Sequence, residues 1–460
     1  MSVAFQVIRL TKHEARKISG TWTTTPAWHR LCGLLFLSFL LAGCMDRDDI
    51  AGSRDRTSVE DSSIIDLCGM GIEPAHSGKS IAIMAFSNKK ESGANGWERT
   101  QDGMAIVADR RLCRGEDASA GQYYLSIVSD DFKLKSDLHV GSVHVKGLHS
   151  AGDKVLLIRP DDSGGTSVEA YDPEQGLVDE FQIRGSIFRM SMSSQGDLVR
   201  MLLVSEDKLR IEGKDSTGSA PADSLIMAEF SLGGSHVSLS RVLDLSGVSV
   251  RSRVSLGFSE GRAAMAVMSP GSLEIAGDTY EIGQYEALVW IDGPDPTVLR
   301  ATHVQEARIV HSEPLLVSAR NYLEESMEVT GLPPYPVAAD ISQVLLWLED
   351  GAIRDQVYWS TGSIPWPWIV STEDMIHIAG EVDGQMEFRH EDQKARLSGS
   401  EPGFWAVLGA GGIDVQTIDY NPFVVRPAMD DCVAMGPPPL TEGEKGIKPL
   451  QLEIVCPHAS

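Results

Sequence analysis

EALVWIDGPDPTVLRATHV (Glu286–Val304) is an apolar run, an acidic Gly/Pro bend and a second run of alternating character. SQVLLWLEDGAIRDQVYW (Ser342–Trp359) and PGFWAVLGAGGIDVQTIDY (Pro402–Tyr420) repeat the phrase. Gly, Pro and Asp at a bend, flanked by β-branched and aromatic residues, are the chemistry of a hairpin. Followed outward in both directions, the phrase occurs six times, with first strands beginning near Tyr124, Val168, Leu225, Ala287, Val344 and Phe404. The spacings of 44, 57, 62, 57 and 60 residues are too long for a helical or leucine-rich repeat.

A second phrase precedes each hairpin. It reads HSGKSIAIM from His76, HSAGDKVLLI from His149, SSQGDLVRML from Ser193, FSEGRAAMAV from Phe258, HSEPLLVSA from His311 and VSTEDMIHIAG from Val370. Each holds a Ser, a short turn and an apolar run of strand length, and the residues before it supply another strand. One unit is therefore four antiparallel strands in roughly 57 residues, the content of a propeller blade. No long i, i+3, i+4 stripe competes with this reading. The expected fold is all-β: a β-propeller of about six four-stranded antiparallel blades over residues 64–420, or seven if the two termini complete one. Residues 421–460 are then a C-terminal tail that staples and closes the ring. VEAYDPEQGLVDEFQI (Val168–Ile183) resembles the strand–turn–strand of quinoprotein-like repeats, and later units look more like the looser repeats of exported bacterial propellers. The Trp that often closes a quinoprotein-type repeat is missing from most units, with only Trp359 near its place, so no cofactor is expected.

The first 44 residues stand apart. Arg9, Lys12, Arg16, Lys17 and Arg30 make a basic start, and LCGLLFLSFLLAG is an apolar run too short for a comfortable permanent span. The run ends in Leu41-Ala42-Gly43-Cys44, which resembles the lipobox of bacterial lipoproteins. The resemblance implies cleavage before Cys44 and lipidation of its thiol and freed amine, and more than one acyl chain gives stable anchoring. Met45 rather than Asp follows the cysteine, which by the same resemblance points to the outer rather than the inner membrane. Residues 45–63 are polar and charged and read as a flexible tether.

The whole chain carries a net charge of −25, and the leader holds five basic residues and one acidic one, so the remainder is more acidic still. Such a balance argues against nucleic acid and against direct docking on anionic headgroups. Beyond Cys44 lie Cys68, Cys113, Cys432 and Cys456, an even number suited to two disulfides in an oxidising envelope. Local loop closure costs less entropy, which favours Cys68–Cys113 and Cys432–Cys456. Cys68–Cys456 is the competing pairing, because a closed propeller brings its ends together.

Several motifs are weighed and set aside. GFSEG (Gly257–Gly261) has the spelling of a nucleophile elbow, but RAAMAVMSP after it is too short for the required helix. Ser259 also aligns with Ser77, Ser150, Ser194, Ser312 and Ser371, which marks a structural turn repeated through the units. HSGKS lacks the first glycine of a P-loop, since Glu73 stands there, and is followed by a strand. PDDSGGTS (Pro160–Ser167) partly resembles the Asp-box of sialidase-type propellers, itself a structural turn. His139, His144 and His149, like His303 and His311, fall on positions that do not converge on a metal. No catalytic, cofactor or metal residue is assigned. Trp366 and Trp368 in SIPWPWIVS share one face of an extended segment and are candidate ligand-contact aromatics, against the alternative of packing between blades. The function expected is a lipid-anchored, non-enzymatic binding or scaffold propeller for protein or carbohydrate. A glycoside hydrolase or lyase with its site at the central channel, and an envelope assembly factor, are the rival classes.

Overall fold

In the computed structural model the run Glu286–Ile291 is a strand buried on both faces. Ala287, Val289 and Ile291 enter one core with residues further along the chain, while Leu288 and Trp290 enter another with residues before them. That double burial is why the run is continuously apolar instead of alternating. The structure describes residues 63–65, 81–84, 97–100, 103–109, 122–436 and 450–457, less 130–132, 162–163, 235, 247–252, 269, 322–324, 336–340, 362–366, 373, 383, 400, 410–411, 423 and 428–430. All of these lie within one compact unit, Asp61–Ser460. Cys44, Cys68, Cys113 and Trp366 fall outside the described residues.

All regular structure among the described residues is strand. The first two are β1 (Ser63–Ile65) and β2 (Ile81–Met84). Blade 1 follows as β3 (Trp97–Thr100), β4 (Gly103–Asp109), β5 (Tyr123–Ser129) and β6 (Leu134–Gly141). Blade 2 is β7 (Gly147–Ala151), β8 (Lys154–Pro160), β9 (Thr166–Asp172) and β10 (Gly176–Arg184). In blade 3, β11 (Ile187–Gln195) and β12 (Leu198–Ser205) precede an extra hairpin, β13 (Leu209–Glu212) and β14 (Thr217–Ala220), before β15 (Ser224–Ser231) and β16 (His236–Ser246). Blade 4 has β17 (Arg253–Ser259) and β18 (Arg262–Met268), the hairpin β19 (Gly271–Ile275) and β20 (Asp278–Ile282), then β21 (Glu286–Ile291) and β22 (Thr297–Thr302). Blade 5 has β23 (Glu306–His311), β24 (Leu315–Asn321), a short β25 (Glu328–Val329), β26 (Ile341–Glu349) and β27 (Ala352–Thr361). Blade 6 has β28 (Trp368–Ser371) and β29 (Ile376–Glu381), the hairpin β30 (Gln385–His390) and β31 (Gln393–Ser398), then β32 (Gly403–Gly409) and β33 (Gly412–Ile418). The last strands are β34 (Val424–Pro427), β35 (Val433–Gly436) and β36 (Leu450–Val455).

The extra strands do not join their own blades. β13 pairs with β10 of blade 2, β19 with β16 of blade 3, β25 with β22 of blade 4 and β30 with β27 of blade 5. In blades 3 to 6 the loop between second and third strands thus reaches back and covers the outer edge of the preceding blade, where an open row of N–H and C=O groups would otherwise face water. The loop in blade 2 spans only residues 161–165 and adds no strand, which accounts for the short first spacing of the repeat.

The six blades are antiparallel throughout, and a seventh, mixed sheet of order β1-β2-β36-β35-β34 joins the two ends of the described chain. The innermost strands meet in the order β34, β3, β7, β11, β17, β23, β28 and back to β34, so the ring is closed. One expectation is corrected here. The strand of HSGKSIAIM, β2, belongs to the closing sheet, and blade 1 takes its inner strands from WERTQDGMAIVAD instead. MAIV of β4 is buried throughout, with Ala105 and Val107 packed against blade 2, an apolar pull that the shorter strand β3 follows as its hairpin partner. Separate apolar clusters fill the seams between successive blades from blade 1 to the closing sheet. Burial in them stabilises each large side chain by about 1.5–3 kcal/mol.

Candidate functional site

The free inner edges of the blades line the central channel, and side chains of neighbouring blades satisfy them. Ile309 N–H donates to Ser255 Oγ (2.8 Å), and Phe258 N–H donates to Ser312 Oγ (3.2 Å), both across 54 residues of chain. A constant offset means that β17 and β23 advance together and are parallel. The Ser194 hydroxyl donates to Ser150 O (2.6 Å) in the same way between β11 and β7. Ser194 and Ser312 of the recurring phrase are therefore ties between inner strands as well as turn residues. The channel has two unlike mouths, one at the hairpin turns that end the inner strands and one where those strands begin.

At the turn mouth, Glu313 is the central group. Ser193 Oγ of blade 3 donates to its Oε2 (2.5 Å), and Gly261 N–H of blade 4 donates to its Oε1 (3.0 Å). One carboxylate from blade 5 thus binds two other blades. Glu260 repeats the pattern: its Oε1 accepts from Asp350 N–H (2.8 Å) and Arg262 lies 3.4 Å from its Oε2. Glu260, Glu313 and Asp350 all hold left-handed φ values of 52–58°, which aims the turns toward their neighbours. Lys154 bridges Asp153 (3.0 Å) and Asp197 (2.8 Å), joining the turns of blades 2 and 3. Hydrogen bonds to both aspartates raise its pKa.

GFSEG is strand, two-residue turn and strand, with Gly261 left-handed at φ 73°, as the argument against an elbow requires. Ser259 departs from Ser194 and Ser312 in one respect: its hydroxyl is buried and has no hydrogen-bond partner, so no base activates it. In PDDSGGTS, Pro160 ends β8 and Thr166 begins β9, and between them Gly165 N–H donates to Asp161 Oδ1 (2.6 Å).

The histidines do not converge. His144 Nδ1 meets the Tyr123 hydroxyl (3.1 Å), His139 packs edge-on to Tyr124, and His303 lies 2.9 Å from Glu325. Burial lowers the pKa of His311 and pushes His149 down to about 4, so both are neutral at pH 7. Among the described residues no group of three or more His, Cys, Asp or Glu is placed to hold a metal ion. Trp368 is half-buried in the seam between blade 6 and the closing sheet, and its Nε1 donates to Pro422 O (3.0 Å). This is the inter-blade packing given as its alternative from sequence.

The opposite mouth was not singled out from sequence. There Arg189 Nε donates to Val254 O (3.1 Å) and Arg253 Nη1 to Gln305 O (2.6 Å), each reaching to the next inner strand. The signal available was a basic residue four to six positions before the recurring serine in four successive units, Lys146, Arg189, Arg253 and Arg308.

No family model matches the chain, and no curated protein matches it. Among solved structures it is similar to the WD40 domain of SCAP from fission yeast, at 9% identity and a TM-score of 0.33, covering 82% of this chain and 94% of that one.

Proposed function

We propose that this chain is an exported propeller that binds a protein or carbohydrate without chemical change, held on a bacterial envelope by lipid on Cys44. The observation that carries the non-enzymatic reading is the way the turn mouth uses its carboxylates. Glycoside hydrolysis needs an acid and a base or nucleophile facing a substrate. Both oxygens of Glu313 are instead occupied in joining blades, and those of Glu260 are taken up by Asp350 N–H of blade 5 and by Arg262 of its own blade. A buried, unpartnered Ser259 gives the hydrolase reading no support either.

The anchor rests on the leader alone, the basic start, the apolar run and LAGC. Outer-membrane placement rests on Met45 after the cysteine. Metabolic labelling with radioactive palmitate tests the anchor: the wild-type chain takes up label, and Cys44→Ala accumulates as an unlabelled, uncleaved precursor. Undiminished label in the variant would overturn lipidation at Cys44. A serine-directed fluorophosphonate probe tests the other half, and labelling of Ser259 would restore the hydrolase reading.

A further inference from the structure

We propose that the channel mouth at which the inner strands begin takes a short acidic peptide segment of a partner protein, an assignment that rests on the binding role above. Four observations carry it. The first is position. Lys146, Arg189, Arg253 and Arg308 belong to blades 2, 3, 4 and 5 in succession, and the parallel inner strands bring all four to one end of the channel.

The second is charge. Arg159, Arg200, Arg241, Arg300 and Arg389 each close on a carboxylate. Arg189 and Arg253 are exposed and hold only backbone carbonyls, at Val254, Phe188 and Gln305. Their positive charge is left unmatched among the described residues of a chain whose net charge is −25. Carboxylates at this end are turned to other groups: Glu306 lies 3.8 Å from Arg320, and Glu206 accepts from the Ser186 hydroxyl (2.8 Å).

Preorganisation is the third. Carbonyl bonds from the neighbouring strand hold both guanidinium groups in place, so an incoming carboxylate meets donors already ordered and loses little side-chain entropy on binding.

The last observation selects the ligand. A long polyanion would lay its charge along the acidic remainder of the surface, whereas a short segment keeps its charge within a Debye length, about 8 Å, of the arginines. An acidic sugar would gain most from an open aromatic face. Two rings where inner strands begin are already engaged: Phe188 is covered by the Arg189 guanidinium at 4.3 Å, and Trp368 packs in the seam between blade 6 and the closing sheet.

Fluorescence anisotropy on the full mature chain tests the assignment, with a labelled hexaglutamate and an oligogalacturonate of equal charge as probes. The expected result is hexaglutamate binding that weakens at least tenfold in Arg189→Gln/Arg253→Gln and falls with added salt. Lys208→Gln/Lys394→Gln removes the same charge from exposed outer positions and is expected to bind as wild type. Melting curves for both double variants establish that they fold. Equal binding by both variants, or no binding of hexaglutamate at millimolar concentration, would overturn the proposal. Tighter binding of the oligogalacturonate would assign the mouth to an acidic glycan and overturn the peptide. The recovered probes are then weighed by mass spectrometry. A cleaved probe would overturn the non-enzymatic reading, whereas intact, unbound probes overturn the acidic-ligand assignment alone.

Discussion

Ser259 and His377 show what single buried polar groups do in this ring. The Ser259 hydroxyl is 2% exposed and makes no hydrogen bond, so it is a desolvated group without compensation. Ser259→Ala is expected to leave stability unchanged or raise it by up to about 1 kcal/mol, measured by urea denaturation. A loss of stability would mean that the hydroxyl has a partner after all. His377 is fully buried and fully engaged. Trp405 Nε1–H donates to its Nδ1 (3.2 Å), its Nε2 lies 3.2 Å from Thr372 Oγ1, and that hydroxyl donates to Asp431 Oδ1 (3.0 Å). The chain of donors works only for a neutral imidazole. Burial pushes its pKa down to about 4, with the Asp431 charge pulling weakly the other way. An unfolded histidine binds its proton near pH 6.5, so the unfolded state holds more protons between about pH 6.5 and 4. Stability from this residue is thus complete above that window and falls through it, by up to about 1.4 kcal/mol per pH unit. Urea midpoints at pH 7 and pH 5 are expected to fall further in the wild type than in His377→Gln.

At the scale of elements, the inserted hairpins carry the sequence's irregular spacing. Those 13 to 18 extra residues in the later units are strands that cross to the preceding blade. They reach the core as well as the edge: Leu209, Ile211 and Ala220 of β13 and β14 are buried in the seam between blades 2 and 3. Leu209→Ala is expected to cost about 2–4 kcal/mol, although the hairpin looks peripheral in the chain. A loss below 1 kcal/mol on urea denaturation would show that the hairpin merely lies on the surface. The hairpin strands themselves were legible. Their expected starts at Tyr124, Val168, Leu225, Ala287, Val344 and Phe404 fall within three residues of the starts of β5, β9, β15, β21, β26 and β32. Apolar runs bounded by Gly and Asp turns specify such strands locally.

For the whole molecule, ring closure is the decisive contact. The closing sheet takes β1 and β2 from one end and β34, β35 and β36 from the other, and Cys432–Cys456 joins the ends of β35 and β36 within it. A closed loop of this size contributes roughly 3 kcal/mol through the unfolded state. Reduction, or Cys432→Ser, is therefore expected to lower the melting temperature of the whole propeller in one transition, because every seam depends on the ring. Non-reducing peptide mapping is expected to recover a Cys432–Cys456 peptide, and one joining Cys68 to Cys456 would contradict the fold.

The sequence alone determined the strands, their turns and the propeller class, and it favoured the local pairing of Cys432 with Cys456. Each depends on neighbours in the chain, through side-chain period, turn chemistry or short loop closure. It also disposed of GFSEG, because a strand too short for a helix is visible in the letters. Tertiary structure alone decided that β2 leaves its expected unit for the closing sheet, and that the spacer hairpins serve the preceding blade. The same holds for Glu313, which ties its own blade to two others, and for the arginines that meet at one mouth. Strand pairing and side-chain convergence between blades depend on which backbone edges remain open after each blade has formed, and a sequence read one residue after another does not record that competition.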